Sequence, residues 1–172
     1  MQAWEAAAAP AAAAGIRVVH PRSGIVLSTD GGALGRMATL FRLGVGGKLG
    51  SGRQYWPWIS LADELRALRF LLDTDTLSGP VNVTSPEPAT NAEITSALGE
   101  VLHRPTVLPV PSFALKIALG EFAGEVLISQ RVLPRRLLDA GFTFDHPDIA
   151  SALRAALRRP ASGAVGPRPR QG

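Results

Sequence analysis

Apolar positions recur along this chain at two alternating periods, and the alternation predicts a layered α/β protein. Residues 2–14 read as an alanine-rich helix, with Trp4 as its one large anchor and Gly15 as its stop. Ile16-Arg17-Val18-Val19-His20 is a β-rich run, and Gly24-Ile25-Val26-Leu27 is a second one after the Pro21-Arg22-Ser23 interruption. Leu34, Met37, Ala38 and Phe41 fall at helical spacing within residues 33–43. Tyr55 to Ile59 predicts a strand that Pro57 confines to a sheet edge or interrupts. Ser60 then caps a helix, with Asp63 three residues on and Leu61, Leu65, Leu68 and Leu72 as its apolar stripe. The unit repeats: a strand at Val81-Asn82-Val83-Thr84, a capping box from Thr90 and Glu93, and a helix facing a core through Ile94, Leu98, Val101 and Leu102. Two strand–helix units of this kind argue for helices layered on a sheet.

Downstream the character changes. A short strand over residues 106–110 precedes helices over 112–119 and 122–133, and a third helix opens at Pro134 and closes at Gly141. Phe142-Thr143-Phe144 predicts a brief strand, and residues 147–157 a last helix with Ile149, Leu153 and Leu157 on one face. From Pro160 onward, Pro, Gly, Arg and Ala without periodicity read as a disordered tail. The boundaries that follow are a first lobe over 1–104, a small mostly helical domain over 105–159 and a tail over 160–172.

Composition narrows the function classes. The 172 residues are enough to bury a core, and 46% of them are apolar. Only Lys48 and Lys116 are lysines among the 18 basic residues, so a pI near 10.6 at a net charge of +4 mostly reports the choice of arginine. Nucleic acid needs a contiguous basic face, and the one candidate is the cluster Arg154, Arg158, Arg159, Arg168 and Arg170; a solvated helix end with a tail explains it, which makes nucleic acid an unlikely partner. The absence of cysteine excludes disulfides, thiolate metal sites and a cysteine nucleophile, and suits a cytoplasmic protein. His20, His103 and His146 lack metal-ligand spacing, so no metal site is expected. No apolar run reaches the roughly 18 residues of a membrane span. The N-terminus carries Glu5 and Pro10 without a basic region, which makes it a poor signal peptide.

The segment Gly44 to Arg53 holds five glycines in ten residues and must be a loop. It fits neither phosphate-binding pattern: Gly47-Lys48 is followed by Leu49, and every G-x-G frame ends on a residue other than glycine. It is either a connector or a substrate-facing loop with Lys48 and Arg53 available for an anion. Asp63 and Glu64 form an acidic pair, but at a helix start both carboxylates are favourable with the helix dipole alone. His20 ends a strand, where a structural role suffices. The sole tyrosine, Tyr55, has Ile59 four residues on, so no Tyr-x-x-x-Lys occurs and no catalytic residue is assigned.

In their order these segments resemble a family, the extended short-chain dehydrogenases/reductases of the NAD-dependent epimerase/dehydratase superfamily. The resemblance is carried by Arg22-Ser23-Gly24-Ile25-Val26-Leu27, Gly50-Ser51-Gly52-Arg53-Gln54-Tyr55, Trp58-Ile59-Ser60-Leu61-Ala62-Asp63 and Gly79-Pro80-Val81-Asn82-Val83. An atypical epimerase-like branch, with its small C-terminal domain of unknown function, is matched by Asp30-Gly31-Gly32, Leu102-His103-Arg104-Pro105, Gln130-Arg131-Val132-Leu133-Pro134-x-Arg136-Leu137 and Ala140-Gly141-Phe142-x-Phe144. The resemblance spans roughly residues 3–157.

It implies a partial Rossmann-like, NAD(P)-binding α/β fold lacking its N-terminal βαβ units, that is, the C-terminal half of such a protein. Backbone at Ser23 and Gly24 would approach the nicotinamide of NAD or NADP, and Lys48, Arg53, Tyr55 and Trp56 would face a small-molecule substrate. Trp56 stands where nucleotide-sugar enzymes of the superfamily carry a diphosphate-gripping arginine, and Ser60 where a His or Tyr is common. The glycine-rich cofactor unit and the Tyr/Lys helix would precede Met1, so weak or no cofactor binding and marginal stability are expected of the chain alone. The alternative is a non-catalytic module that docks a partner through an exposed sheet edge.

Overall fold

The computed structural model describes residues 2–106 and 129–158. In chain order its elements are helices α1 (Gln2–Ala6) and α2 (Ala9–Ala13), strands β1 (Val19–Ser23) and β2 (Ile25–Leu27), helix α3 (Gly32–Arg42), strands β3 (Tyr55–Trp56) and β4 (Trp58–Ser60), helix α4 (Leu61–Asp73), strands β5 (Gly79–Val83) and β6 (Ala89–Thr90), and helices α5 (Asn91–Leu102), α6 (Arg135–Asp139) and α7 (Ile149–Arg158). β1 pairs in parallel with β5, β2 in parallel with β4, and β3 antiparallel with β6. The two parallel pairs meet at Gly24. Its N–H donates to Val83 O at 3.0 Å, and that of Ile25 to Pro57 O at 2.6 Å, so the chain leaves β5 and joins β4 within two residues.

Two clusters form the core. One gathers Leu27, Leu34, Phe41, Trp58, Leu98 and Leu153 between α3, α5 and α7. The other packs Ile59, Ala67, Leu71, Val81, Leu137 and Phe142 beneath α4. Each draws residues from both sides of position 105, so the stretch after it shares the core of the stretch before it.

The caps appear where the sequence puts them. Ser60 accepts from the Asp63 N–H, and Thr90 and Glu93 form the reciprocal box. Several expectations need correction. The helix over 2–14 is two short helices, because Pro10 lacks an N–H and crowds the carbonyl four residues back, at Ala6. Trp4 anchors nothing and is 89% exposed. Pro21-Arg22-Ser23 lies inside β1 rather than interrupting it, which an edge strand permits since its outward N–H groups need no partner. On α4 the stripe is displaced: Leu65 and Leu72 are 58% and 71% exposed, while Asp63, Glu64, Ala67 and Leu71 face inward. Phe142-Thr143-Phe144 is no strand. Phe142 instead makes edge-to-face contacts with Phe70 and Phe144, at 5.4 and 4.9 Å between centroids. Residues 129–133 form no helix, because their polar groups serve Tyr55 and Asn82; residues 122–128 of that expected helix lie outside the described residues. The expected helix at 112–119, the tail at 160–172 and most of the strand at 106–110 lie outside the described residues.

Candidate functional site

The corner Ser23–Gly24 ends parallel strand β1 and is fixed from three sides. The exposed Ser23 hydroxyl donates to Oε1 of Glu64, in the first turn of α4, at 2.6 Å. Glu64 is 7% exposed, and its Oε2 has no hydrogen-bond partner among the described residues. Burial pushes its carboxyl above the ordinary glutamate range, and the Ser23 hydroxyl only partly opposes this. Gly24 is squeezed, since a Cβ there would lie 2.7 Å from Pro57 O and 3.1 Å from Thr84 Cγ2. Only glycine fits this close approach of backbones.

Ser23 stands in the wall of a groove of about 600 Å³. Its floor is the face of β1 and β5 that carries Arg22, Pro80 and Asn82, and its far wall is the segment from Gln130 to Arg136. That segment is held by several bonds. The Gln130 N–H donates to Tyr55 O at 3.0 Å, Asn82 Nδ2 to Leu133 O at 3.2 Å, and Arg136 to the carbonyls of Ser78 and Pro80 at 2.6 and 2.8 Å. Arg131 places its guanidinium 5.9 Å from the Tyr55 ring centroid. Arg22 forks onto both carboxylate oxygens of Glu5, at 2.7 and 2.9 Å. That pairing holds the Glu5 carboxyl below its ordinary range.

Of the expected residues the structure therefore places Ser23 in the groove wall, with Gly24 next to it in the chain and the Tyr55 ring behind Arg131. It does not bring the other expected residues there. Trp56 is buried in the core cluster of α3 and α5. Lys48 and Arg53 are exposed on a loop fastened to the start of α5: the Leu49 N–H donates to Asn91 Oδ1 at 2.7 Å, and the Ala92 N–H to Gly52 O at 2.9 Å. Arg154 and Arg158 sit on α7, and the remaining arginines of the basic cluster lie outside the described residues. Arg22, Arg131 and Arg135 were not singled out from the sequence as site residues. The run Gln130 to Arg136 was visible there only as a family marker, without the strand face that it covers.

Asp63 behaves as a clasp. It is fully buried and accepts from Ser60 Oγ at 2.8 Å, from Arg66 at 3.2 Å, and from the N–H groups of Asp145 and His146 at 2.7 and 3.0 Å. His146 Nδ1 lies 3.2 Å from Ser60 Oγ. This is not a nucleophile arrangement, because Ser60 already gives its proton to Asp63 and accepts from the helix backbone. The adjoining cavity, about 40 Å³, has room for little more than water. Among the described residues no group of three or more His, Cys, Asp or Glu is placed to hold a metal ion, and no helix is long and apolar enough to cross a membrane.

Residues 110–156 match the family described as Domain of unknown function (DUF1731). The chain is 54% identical over 158 residues to Epimerase family protein Mb2239 of Mycobacterium bovis, covering 91% of this chain and 52% of that protein. Human epimerase family protein SDR39U1, solved with NADPH, superposes with a TM-score of 0.77 at 38% identity, over 84% of this chain and 50% of that one. A nucleoside-diphosphate sugar epimerase of Corynebacterium glutamicum superposes with a TM-score of 0.71 at 34% identity, over 90% of this chain and 29% of that one. The chain thus spans about half the length of the curated relatives it matches. Over nine tenths of its own length the chain is similar to epimerase family proteins, and its mixed α/β structure superposes on the two solved ones.

Proposed function

We propose that this chain supplies the substrate-side lobe of an NAD(P)-dependent epimerase- or oxidoreductase-like protein, as the C-terminal half of its Rossmann-like fold, and is inactive by itself. The observation that carries the reading is Ser23, at the carboxyl end of parallel strand β1 and in the wall of the groove, since open α/β sheets bind ligands beyond the carboxyl ends of their strands. The residues present suit only the nicotinamide end of the cofactor. Ser23, exposed in the groove wall, is where that end would meet the chain, whereas the Gly44–Arg53 loop matches no pyrophosphate-binding pattern. When bound, NAD or NADP supplies hydride exchange at a hydroxyl or carbonyl carbon.

The chain's own residues bind and orient. Ser23 and Gly24 present backbone toward the cofactor, and Tyr55 with Arg131 borders the space left for a small-molecule substrate. Lys48, Arg53 and Trp56 stand away from that wall, so the reading rests on the groove. Inactivity is supported by the lack of both Tyr-x-x-x-Lys and a glycine-rich cofactor unit in these 172 residues. Calorimetric titration with NADPH and NADH, followed by turnover assays on sugar-nucleotide and simple carbonyl substrates, is expected to show weak or no binding and no turnover. Tight binding with turnover by the chain alone overturns the proposal.

A second reading, a docking module, is favoured by one observation: among the described strands β1 pairs with β5 alone, which leaves its other edge free. Size-exclusion chromatography with light scattering separates the two. A soluble, ordered oligomer supports the module, and a monomer or an aggregate counts against it.

A further inference from the structure

Charge is unevenly placed along this chain. From Ile149 onward the sequence carries Arg154, Arg158, Arg159, Arg168 and Arg170 and no Asp or Glu. The structure adds what the described part of that run adjoins. Arg154 and Arg158, on α7, line a groove of about 480 Å³ together with Arg42 at the end of α3 and His103 at the end of α5. Arg104 joins them, its Nε donating to the Arg42 carbonyl at 3.3 Å. These four arginines are exposed, and none forms an ion pair with a described residue. By contrast Arg22, Arg66 and Arg69 each pair with a carboxylate. Among the described residues Glu100 is the one acid in the groove lining. Asp148 feels the charge of Arg154, although the Ser151 N–H is what chiefly lowers its carboxyl.

Two large apolar side chains stand at the same end. Leu43, next to Arg42, is 72% exposed, and Val45 is 60% exposed. The helix end fixes them there: the Leu43 N–H donates to Thr39 O, Gly44 turns the chain at φ 77°, and the Val45 N–H donates to Leu40 O at 3.0 Å. Apolar side chains held out among free cations gain by leaving water. A basic face alone suits any polyanion, and Leu43 and Val45 decide which. Neither is an aromatic ring on which a nucleic-acid base stacks. An anionic bilayer offers phosphates to the arginines and an acyl boundary to the leucine and valine, and surface binding draws on both together.

We propose that this end of the molecule docks on an anionic lipid surface. Leu43 and Val45 enter the headgroup boundary, and Arg42, Arg104, Arg154 and Arg158 meet the lipid phosphates. The chain lies on the bilayer, since no described helix is long and apolar enough to cross one. The proposal does not rest on the groove beside Ser23, and either can fail alone.

The test is co-sedimentation of the 172-residue chain with phosphatidylcholine vesicles, plain or with about one third phosphatidylserine, corrected for protein that pellets without vesicles. Binding to the anionic vesicles alone is expected, weakening as salt is added. Arg154→Gln with Arg158→Gln should lower the partition coefficient about 25-fold, roughly five-fold for each charge. Leu43→Ser with Val45→Ser should lower it about ten-fold or more and leave the salt dependence in place. Arg69→Gln, on α4, removes a charge outside this groove and should change it less than about two-fold. A second reading stands if a double variant loses its circular dichroism. Because the chain has no cysteine, Val45→Cys takes a single environment-sensitive dye. Its emission should shift to the blue on anionic vesicles, and that of Leu65→Cys, on α4, should not. Equal binding to both vesicle types, no binding to either, or a dye at position 45 that reports water throughout overturns the proposal. Binding to random duplex DNA in place of vesicles, unaffected by Leu43→Ser with Val45→Ser, overturns it in favour of a nucleic-acid face.

Discussion

Asp63 and Glu64 are consecutive buried carboxylates in the first turn of α4, and the regions around them are built in opposite ways. Asp63 receives hydrogen bonds from Ser60, Arg66 and two backbone N–H groups that lie more than 80 residues away in sequence. Among the described residues Glu64 receives one, from Ser23, and one of its oxygens receives none. A buried charge is stabilising only where donors replace the water it has lost. The clasp at Asp63 meets that condition and the corner at Glu64 does not. The first reads as structure, and the second as a place where the fold tolerates an incompletely satisfied group beside its candidate ligand groove.

Asp63→Ala tests that contrast most severely. It leaves Arg66 with the exposed Asp145 and the Phe142 ring, and strips the N–H groups of Asp145 and His146 of their acceptor. A loss on the order of 2–3 kcal/mol is expected by urea denaturation, from the backbone N–H groups left without an acceptor and not from the ion pair, since the Arg66 side chain is 40% exposed. A loss below about 1 kcal/mol would mean that the clasp is incidental.

Gly24→Ala should rank second. The added methyl meets the Pro57 carbonyl, which is backbone and cannot swing aside, and the overpacking should cost about 1–3 kcal/mol. It should also disturb the Ser23 hydroxyl, so a shifted Ser23 amide resonance should accompany the lost stability. If stability is unchanged, the two sheet pairs are not held as tightly at this corner as the contacts indicate.

Why one region was legible in the sequence and the other was not follows from the distance over which each is specified. The caps at Ser60 and Thr90 are local, three residues from donor to acceptor, and both could be read. So could the buried face of α3, where Leu34, Met37, Ala38 and Phe41 all turn inward. On α4 the leucine periodicity pointed to the wrong face. The small side chain of Ala67 lets the helix approach the sheet, and the donors that reach its two carboxylates from beyond the helix and its cap come from Ser23 and from residues 145–146. None of these is a neighbour in sequence, so hydropathy alone puts leucines inside and acids outside. The groove was hidden for the same reason, since its floor and its far wall are some 50 residues apart and each half is unremarkable by itself.

The smallest effect, and the one that reads the corner most directly, is that of Glu64→Gln. Burial raises the Glu64 carboxyl in the folded protein above its value in the unfolded chain, where a glutamate titrates near 4.3. Its favourable contribution is therefore fully present below the unfolded value and is lost as pH rises through the folded value. Glutamine keeps an acceptor for Ser23 and carries no charge to bury. The variant should match the wild type in stability near pH 4 and exceed it increasingly toward neutral pH, the gap opening above the unfolded value. Ser23→Ala in the wild-type background should widen that window, because it removes the one hydrogen bond that favours the carboxylate. Stability curves of wild type and Glu64→Gln that stay parallel from pH 4 to pH 7, or that separate with the opposite sign, would show that Glu64 has partners enough when folded, and the contrast with Asp63 would collapse.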